Sequence, residues 1–250
     1  MSTQAMTLGS LFDGSGGFPL AATRHGIQPV WASEVEPFPI RVTRKHFPSM
    51  KHLGDIYDVN GAEIEPVDII SGSSPCQSFS VNASVHGYRT GLEGKSGLFS
   101  EMIRIISEMR AATHNRKPRY IIWENVTGAL SANKGDDFHT IIQNFFATGA
   151  TKVTVPRPHK WTRAGCAVGD AFNLAWRTVN SQFWGLPANR PRVYLVGCFT
   201  EQRGGVNRSL NLRKYSLTPG MAQYVLRALK KRNRTIPNRL TQCLKQRAAQ

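Results

Sequence analysis

One cysteine stands in a short segment of small and polar residues, where its thiol is available for chemistry. Cys76 lies between Pro75 and Gln77 and follows a short apolar strand predicted over Val67–Ser71. A thiol becomes a strong nucleophile once its pKa falls, because the thiolate is the reactive form. A buried structural cysteine on a tight turn is the alternative, since free cysteine is among the most buried residue types. The segment alone leaves both interpretations open.

A carboxylate and two arginines could assist such a nucleophile. Glu124 follows a strand predicted over Tyr120–Trp123, next to the strand that leads to Cys76, so both side chains can share one cleft. A buried carboxyl group can serve as a general acid, although a carboxylate that caps the next turn is the alternative. Arg190 and Arg192 alternate, so in an extended segment they point the same way and suit a phosphate or a carbonyl edge.

A glycine turn and two acidic strand ends form a second candidate site. Asp13–Gly17 joins the first predicted strand to the first helix, where glycines let a ligand approach the backbone and the helix start favours negative charge. No Gly-Lys-Ser/Thr follows, so the turn is not a P-loop. Glu34 closes the second strand and can accept hydrogen bonds from ribose hydroxyls, while Asp55 follows the third strand. This pattern favours a cofactor that contains a nucleoside.

Strands and helices alternate along the first half, which predicts an α/β fold with a mostly parallel sheet and helices on both faces. Ligands bind at the carboxyl ends of the strands in such sheets, and the candidate residues follow strand ends. The predicted strands are Thr7–Phe12, Gln28–Glu34, a short strand ending near Leu53, Val67–Ser71 and Tyr120–Trp123, and the predicted helices are Phe18–His25, Pro37–Phe47, Ser96–Thr113 and Phe138–Phe146.

The second half changes character. A segment rich in proline and glycine, Gln182–Arg192, separates two of its predicted strands and is unsuited to regular structure. Strands are predicted at Thr151–Val155, Leu174–Asn180 and Arg192–Cys198, and helices at Pro219–Arg232 and Pro237 to about Arg247. We expect a catalytic domain over residues 1–200 and a basic, partly helical tail over residues 201–250.

The positive charge of the chain is one-sided. The formal net charge of the 250 residues is +16, and residues 126–250 carry 20 basic and 4 acidic side chains, which accounts for the excess. This distribution predicts a polyanionic partner, most often nucleic acid, although a basic tail without a partner is the alternative. The short apolar runs argue against a membrane span. The four scattered cysteines argue against a disulfide framework or a metal site and favour a reducing, cytoplasmic setting.

Four segments, in this order, resemble the motifs of cytosine-5 DNA methyltransferases that use S-adenosylmethionine. The resemblance runs from about Thr7 to Gly197, and Trp161–Asp170 with Trp176-Arg177 resembles members from bacteria and phages. The segments are Leu-Phe-Asp-Gly-Ser-Gly-Gly-Phe from Leu11, Pro-Cys-Gln from Pro75, Glu-Asn-Val from Glu124, and Arg-x-Arg from Arg190. The resemblance implies a Rossmann-like methyltransferase fold with a final antiparallel hairpin.

The resemblance also implies a set of residues that hold S-adenosylmethionine. Glu34 would bind the ribose hydroxyls, Val35 would pack on the adenine, and Asp55 would meet the adenine amino group with Ile56 beside it. The other implied residues shape or line the pocket: Phe12, Gly14, Gly16, Gly17, Pro75 and Leu98.

The implied catalytic residues act on a cytosine that is flipped out of double-stranded DNA. Cys76 would attack carbon 6 of the base, and Glu124 would hold and protonate ring nitrogen 3. Arg192 would touch the cytosine carbonyl, Arg190 would steady the cysteine loop, and Asn125 would help to order it.

The sequence departs from the family pattern at three places. Ala188 stands where the family usually has glutamine, and Ser10 stands where an acid often begins the glycine motif. The family also continues past the Arg-x-Arg strand into a target-recognition domain and a Gly-Asn motif, which this sequence lacks. A partner chain could complete that part. The alternatives to an active DNA methyltransferase are a DNA-binding decoy or regulator without turnover, and a tRNA cytosine-5 methyltransferase.

Overall fold

The computed structural model describes residues 5–74, 97–149, 155–184 and 187–199. In these ranges eight strands form one sheet: β1 (Thr7–Leu11), β2 (Gln28–Ser33), β3 (Lys51–His52), β4 (Ile69–Gly72), β5 (Tyr120–Val126), β6 (Ala164–Val168), β7 (Phe172–Asn180) and β8 (Pro191–Phe199). Their spatial order is β3-β2-β1-β4-β5-β8-β7-β6. The first five strands run parallel, and β8, β7 and β6 continue the sheet in antiparallel fashion.

Helices cover both faces of this sheet. The helices are α1 (Gly17–Thr23), α2 (Pro37–His46), α3 (Gly97–Ala112) and α4 (Asp136–Ala147). Phe18 and Ala22 of α1 pack with Ile122 of β5, whereas Phe99 of α3 packs edge-on against Trp123 of the same strand. Successive side chains of a strand point to opposite faces, so α1 and α3 lie on different sides. The predicted α/β class is therefore confirmed.

Two features of the sheet differ from the sequence predictions. Strand β5 continues to Val126, so Glu124 and Asn125 lie within the strand and not after it, because antiparallel pairing with β8 extends to Val126 opposite Arg192. Strand β6 was not predicted, since its Ala-Gly-Cys-Ala-Val sequence has little β-branched character. It forms against β7, where the ring of Trp176 lies over Gly165 and leaves no room for a Cβ atom.

The four helices predicted before residue 150 are found with small shifts at their ends, as are the other strands predicted within the described ranges. The helices predicted at Pro219–Arg232 and Pro237 to about Arg247 lie outside the described residues. Residues 151–154 and the basic tail over residues 201–250 lie outside the described residues, and Val155 is not part of a strand. No helix in the described ranges is long and apolar enough to cross a membrane.

Aromatic rings form the core between the sheet and the helices α3 and α4. Phe138 of α4 is fully buried and packs edge-on against Trp161 and Trp176, at centroid distances of 5.1 and 5.5 Å. Phe99 contacts Phe145 in the same way at 5.3 Å. Such edge-to-face pairs contribute beyond the area they bury. This cluster ties β7, the residues before β6 and α4 into one unit.

Gly9 of β1 gives a test of the packing at the centre of the sheet. A Cβ atom at this position would lie 2.1 Å from the ring of Trp31, which is 1% exposed. We therefore expect Gly9→Ala to lower the free energy of unfolding by about 1–3 kcal/mol through overpacking. Urea denaturation would measure this loss. Gly128→Ala is the control, because its Cβ would have no neighbour nearer than 3.9 Å, and equal losses in the two variants would contradict the packing argument.

Candidate active site at the carboxyl ends of the strands

The glycine turn after β1 is tied to the end of β2. Phe12 has a φ of 53°, a left-handed conformation that turns the chain out of the sheet. The backbone N–H of Asp13 then donates to the carbonyl of Ser33 at 3.2 Å, and that of Gly14 donates to Oε2 of Glu34 at 2.7 Å. Gly16 has a φ of 84°, and Thr43 and Phe47 lie within 3.1 Å of where its Cβ would be, so a side chain there would be both strained and crowded.

Glu34 is held by backbone groups on both sides. Its Oε1 accepts hydrogen bonds from the N–H groups of Val35 at 2.8 Å and Glu36 at 3.0 Å, while Oε2 binds Gly14. A carboxylate offers about four lone-pair sites, so acceptor capacity remains for a ligand's hydroxyl groups. Val35, next in the chain, is 57% exposed and presents an apolar surface beside this carboxylate.

The second acid of the candidate cofactor site is placed next to the first one. The hydroxyl of Ser33 donates to the carbonyl of Gly54 at 2.8 Å, which fixes the residue before Asp55 against the end of β2. Asp55 is exposed, and its Oδ1 accepts from the N–H of Tyr57 at 3.1 Å. Ile56 is 3% exposed, so its side chain belongs to the core and is not presented to a ligand.

Tyr57 connects this acid to the start of α3. Its hydroxyl lies 3.1 Å from the position of a Cβ on Gly97, the residue before Leu98. Leu98 is partly buried at this point. The structure thus brings Asp55 and Leu98 to the same side of the sheet. Tyr57 is 55% exposed and was not a sequence candidate.

Asp13 is a buried carboxyl group inside the glycine turn. It is 6% exposed, its Oδ1 accepts from the hydroxyl of Ser10 at 2.7 Å, and its Oδ2 is buried without a hydrogen-bond partner. Burial raises the pKa of Asp13 to about 6, with a further rise from the nearby charge of Glu34. Ser10, which stands where the family often has an acid, is thus the hydrogen-bond donor to this buried carboxyl group.

Glu124 is the centre of the candidate catalytic site. The hydroxyl of Ser73 donates to its Oε2 at 2.6 Å, and Nε of Arg192 lies 3.1 Å from its Oε1. The two charged side chains are only 17% and 21% exposed. One carboxylate therefore connects the residues after β4 to β5 and β8. The pairing of Arg192 with Glu124 was not predicted from the sequence, which assigns Arg192 to the cytosine carbonyl.

Asn125 and Trp123 hold the last described residue before the cysteine segment. The side-chain amide of Asn125 donates to the carbonyl of Ser74 at 3.0 Å, and Nε1 of Trp123 donates to the hydroxyl of Ser74 at 3.2 Å. Pro75 and Cys76 follow directly in the chain and lie outside the described residues. Ser74 is 3% exposed, so the point from which the cysteine segment departs is fixed against β5.

Arg190 and Arg192 differ in their surroundings. Arg190 is exposed and precedes β8, with its N–H donating to Oδ1 of Asn180 at 3.1 Å, whereas Arg192 is within β8 and paired with Glu124. Tyr194 was not predicted from the sequence. It lies directly opposite Glu124, and burial raises its pKa, so its phenol stays protonated at neutral pH. Every second residue of an extended strand points the same way, so the alternation of Arg190 and Arg192 could have identified Tyr194 as the next residue on that face.

Of the two cysteines that the structure describes, Cys198 is unsuited to nucleophilic attack. Cys166 and Cys198 are partly buried, and burial raises the pKa of the Cys198 thiol, so this group stays protonated. Within the described ranges no three His, Cys, Asp or Glu side chains are grouped as metal ligands.

Comparison with known proteins identifies the family of this arrangement. The model of the C-5 cytosine-specific DNA methylase family matches residues 6–247 of the chain. The chain belongs to this family. The resemblance inferred from the sequence motifs is thereby confirmed. S-adenosylmethionine is the methyl donor of such enzymes, which agrees with the predicted cofactor.

Relatives occur in phages and in bacterial restriction–modification systems. A protein of Escherichia phage P1 named DNA N-6-adenine-methyltransferase is 30% identical over 215 residues, which cover 75% of this chain and 28% of the relative. The type II methyltransferase M.NgoFVII of Neisseria gonorrhoeae is 34% identical over 191 residues, covering 75% of this chain and 42% of the relative. The chain therefore spans less than half the length of these two proteins.

Two solved structures share the fold. A protein described as a DNA modification methyltransferase, encoded within an Escherichia coli prophage, superposes with a TM-score of 0.56 at 19% identity, covering 88% of this chain and 55% of that one. A variant of Spodoptera frugiperda DNMT2 superposes with a TM-score of 0.52 at 19% identity, covering 82% and 53%. These likenesses confirm the methyltransferase fold.

The buried carboxyl group of Asp13 predicts a particular pH dependence of stability. Its pKa is about 6 in the folded protein and 3.8 ordinarily, so the folded state binds more protons between these values and stability falls as the pH rises through this window. We expect Asp13→Asn to remove this loss, which amounts to about 3 kcal/mol when complete. Urea unfolding should show the variant gaining about 1 kcal/mol relative to wild type between pH 5 and pH 8.

The exposed Asp58 provides the control for this experiment. Asp58→Asn removes a carboxylate without changing a buried group, so its stability relative to wild type should not vary with pH in the same window. If the free energy of unfolding of Asp13→Asn varies with pH in parallel with that of wild type, the Asp13 carboxyl group is not held in an unfavourable environment.

Proposed function

We propose that the chain transfers a methyl group from S-adenosylmethionine to carbon 5 of a cytosine in DNA, through a covalent adduct of Cys76. The observation that supports this proposal most is the position of Glu124. It lies between the Ser73 hydroxyl and the Arg192 guanidinium, beside the residues that lead directly to Cys76. A nucleophile, an acid and a guanidinium would then meet at one side of a base.

The residues at the other end of the site fit the cofactor. Glu34 has carboxylate oxygens with spare acceptor capacity for ribose hydroxyls, and Val35 presents an exposed apolar surface for an adenine ring. Asp13 has a buried oxygen that lacks a partner. S-adenosylmethionine would supply an electrophilic methyl group at this end of the strands. The exposed carboxylate of Asp55 would accept from the adenine amino group.

The protein residues would activate the base. Carbon 5 of cytosine is a poor nucleophile, so the Cys76 thiolate first forms a bond to carbon 6 while Glu124 passes a proton, taken up from solvent when the base binds, to ring nitrogen 3. The electron pair displaced from the 5,6 double bond then makes carbon 5 nucleophilic. Carbon 5 then takes the methyl group, which would leave S-adenosylhomocysteine as the second product. A base removes the proton of carbon 5, the bond from carbon 6 to sulfur breaks as the double bond returns, and the proton on ring nitrogen 3 goes back to Glu124.

Arg192 would have two tasks in this scheme. Its Nε holds Glu124 and its Nη1 donates to the carbonyl of Pro191 at 2.9 Å, so Nη2 is the group that would donate to the carbonyl oxygen of the cytosine. Arg190 would steady the cysteine segment. The target base is unreachable inside a duplex, so it must be flipped out, at a cost of a few kcal/mol that contacts to the DNA backbone offset.

The covalent mechanism predicts that Cys76 cannot be replaced by serine. We expect Cys76→Ser to lower the transfer of label from S-adenosylmethionine to DNA by about a thousandfold or more, since serine is not ionised at neutral pH. Cys198→Ser is the matched control, because that thiol is partly buried in β8 and stays protonated. Digestion of the product to nucleosides should place all label on 5-methylcytosine.

Three other outcomes of this assay would contradict the proposal. Label on adenine would favour the chemistry named for the phage P1 relative, which does not need a nucleophile at Cys76. Label on tRNA but not on DNA would indicate an RNA enzyme. DNA binding without any transfer at low salt would indicate a decoy or regulator.

Cofactor binding gives an independent test at Glu34. Replacing the carboxylate weakens charge-assisted hydrogen bonds worth about 1.5–3 kcal/mol, so we expect Glu34→Gln to raise the Kd for S-adenosylhomocysteine by about 10- to 100-fold. Isothermal titration calorimetry would measure the Kd. Glu36→Gln is the control, since Glu36 is exposed and its side chain does not cap α2. Equal affinities of the two variants would place the cofactor elsewhere.

A further inference from the structure

A cluster of basic side chains lies at the same end of the sheet as Glu124, within the catalytic domain. We call it the basic surface, and each of its members is exposed. They are Lys134, Arg157, His159, Lys160, Arg163 and Arg177. The sequence-based expectation of a polyanionic partner covered residues 126–250 as a whole, and these six residues lie in its described part, before the basic tail.

Strand register places this surface beside the candidate catalytic site. Glu124 of β5 lies opposite Tyr194 of β8, which in turn lies opposite Arg177 of β7. Directly opposed residues point to the same face, so Arg177 faces the same side as Glu124. Trp176 points the other way and packs on Phe138 of α4, so Lys134 and Arg157, at the start of α4, lie on the other side and the basic surface spans the edge of the sheet. The pairing continues to Arg163, whose carbonyl accepts from the N–H of Thr178 at 2.7 Å. The residues before β6 thus lie at the level of the carboxyl end of β5.

The segment that carries the basic side chains is firmly attached to the protein. Val155 and Trp161 are 1% and 6% exposed and anchor it at two points. Nε2 of His139 lies 2.7 Å from the carbonyl of Val155, and Nε1 of Trp161 donates to the carbonyl of Gly135 at 2.8 Å. Nε1 of Trp176 donates to the carbonyl of Thr162 at 3.0 Å. A ligand that binds here does not have to order this backbone.

The charge of the basic surface is not balanced by the acids around it. Among the described residues, two carboxylates lie beside its five lysines and arginines: Asp136, which is paired with Arg157, and Asp137, which is partly buried. Arg157 also donates from Nη2 to the carbonyl of Lys134 at 2.9 Å, so these two members are held together. Asp170 lies at the opposite end of β6. The excess of positive charge therefore faces outward at the edge that carries Glu124.

We propose that the basic surface binds backbone phosphates of the duplex whose cytosine enters the active site. This inference rests on the proposed function. Three strand spacings of about 4.8 Å separate β5 from β6, so the surface lies roughly 14 Å to one side of Glu124. At about 3.4 Å per nucleotide along one strand, this distance corresponds to roughly four nucleotides from the target base. The contacts hold the duplex irrespective of its sequence, because they reach phosphates and not base edges.

The test is the salt dependence of duplex binding by the full chain with Lys160→Gln and Arg163→Gln combined. Each lost phosphate contact lowers the slope of log affinity against log salt by about 1, so we expect a slope smaller by about 2. Affinity near 0.1 M salt should fall about 10- to 50-fold for any duplex sequence. Fluorescence anisotropy with a labelled duplex measures both quantities.

The control variant removes two exposed arginines from the opposite end of the sheet. Arg24 precedes β2 and Arg116 precedes β5, so both lie at the amino ends of strands. Arg24→Gln combined with Arg116→Gln should leave the slope and affinity unchanged while lowering the net charge equally. The variant with Lys160→Gln and Arg163→Gln should also raise the KM for DNA without lowering kcat, since neither residue touches the reacting groups.

The outcomes separate this inference from the proposed function. If both double variants lose the same duplex affinity, or neither loses any, the basic surface does not bind phosphates. The proposed function would still stand if the wild-type protein methylates DNA. Wild-type preference for a stem–loop RNA over duplex DNA, removed by the Lys160 and Arg163 changes, would overturn duplex DNA as the occupant. Wild-type protein without affinity for a duplex at low salt would overturn the inference and the proposed function together.

Discussion

The contacts of Glu124 hold the candidate active site together. A single carboxylate accepts from the Ser73 hydroxyl at 2.6 Å and pairs with Arg192 at 3.1 Å, so three neighbouring strands meet at one side chain. Taking two charges out of water is unfavourable unless their geometry and hydrogen bonds compensate. The antiparallel entry of β8 beside β5 provides this compensation, because it sets Arg192 opposite Val126 and within reach of Glu124.

The same end of the sheet brings the two halves of the chemistry together. The glycine turn and Glu34 follow β1 and β2, and Glu124 lies near the end of β5, with β4 between the two groups. Parallel strands place all these ends at one edge, which is where ligands bind in open α/β sheets. The sheet therefore holds the two groups of candidate residues on either side of β4. The residues after β4 lead to Cys76.

Much of this arrangement could be predicted from the sequence. The alternation of strands and helices predicted a mostly parallel sheet with the candidate site at the carboxyl ends of its strands. The positions of the motifs indicated Glu34, Asp55, Glu124 and Arg192. The end of β5 could not be predicted, because Glu124 and Asn125 are polar and only the pairing with β8 keeps them extended. Strand β6 depends on the packing of Trp176 over Gly165, which is a tertiary contact. The burial of Asp13, beside the Ser10 hydroxyl and near the charge of Glu34, likewise appears only in the folded chain.

The covalent bond between Cys76 and cytosine is the central claim, and a trapped complex tests it most directly. A duplex with 5-fluorocytosine at target positions lets the thiolate add and the methyl group transfer, but fluorine cannot leave carbon 5 as a cation, so the adduct persists. We predict a complex that survives denaturation, requires S-adenosylmethionine, and yields a peptide carrying the nucleotide on Cys76 by mass spectrometry. A wild-type enzyme that methylates ordinary DNA but forms no such complex, or forms it on another residue, would contradict the account.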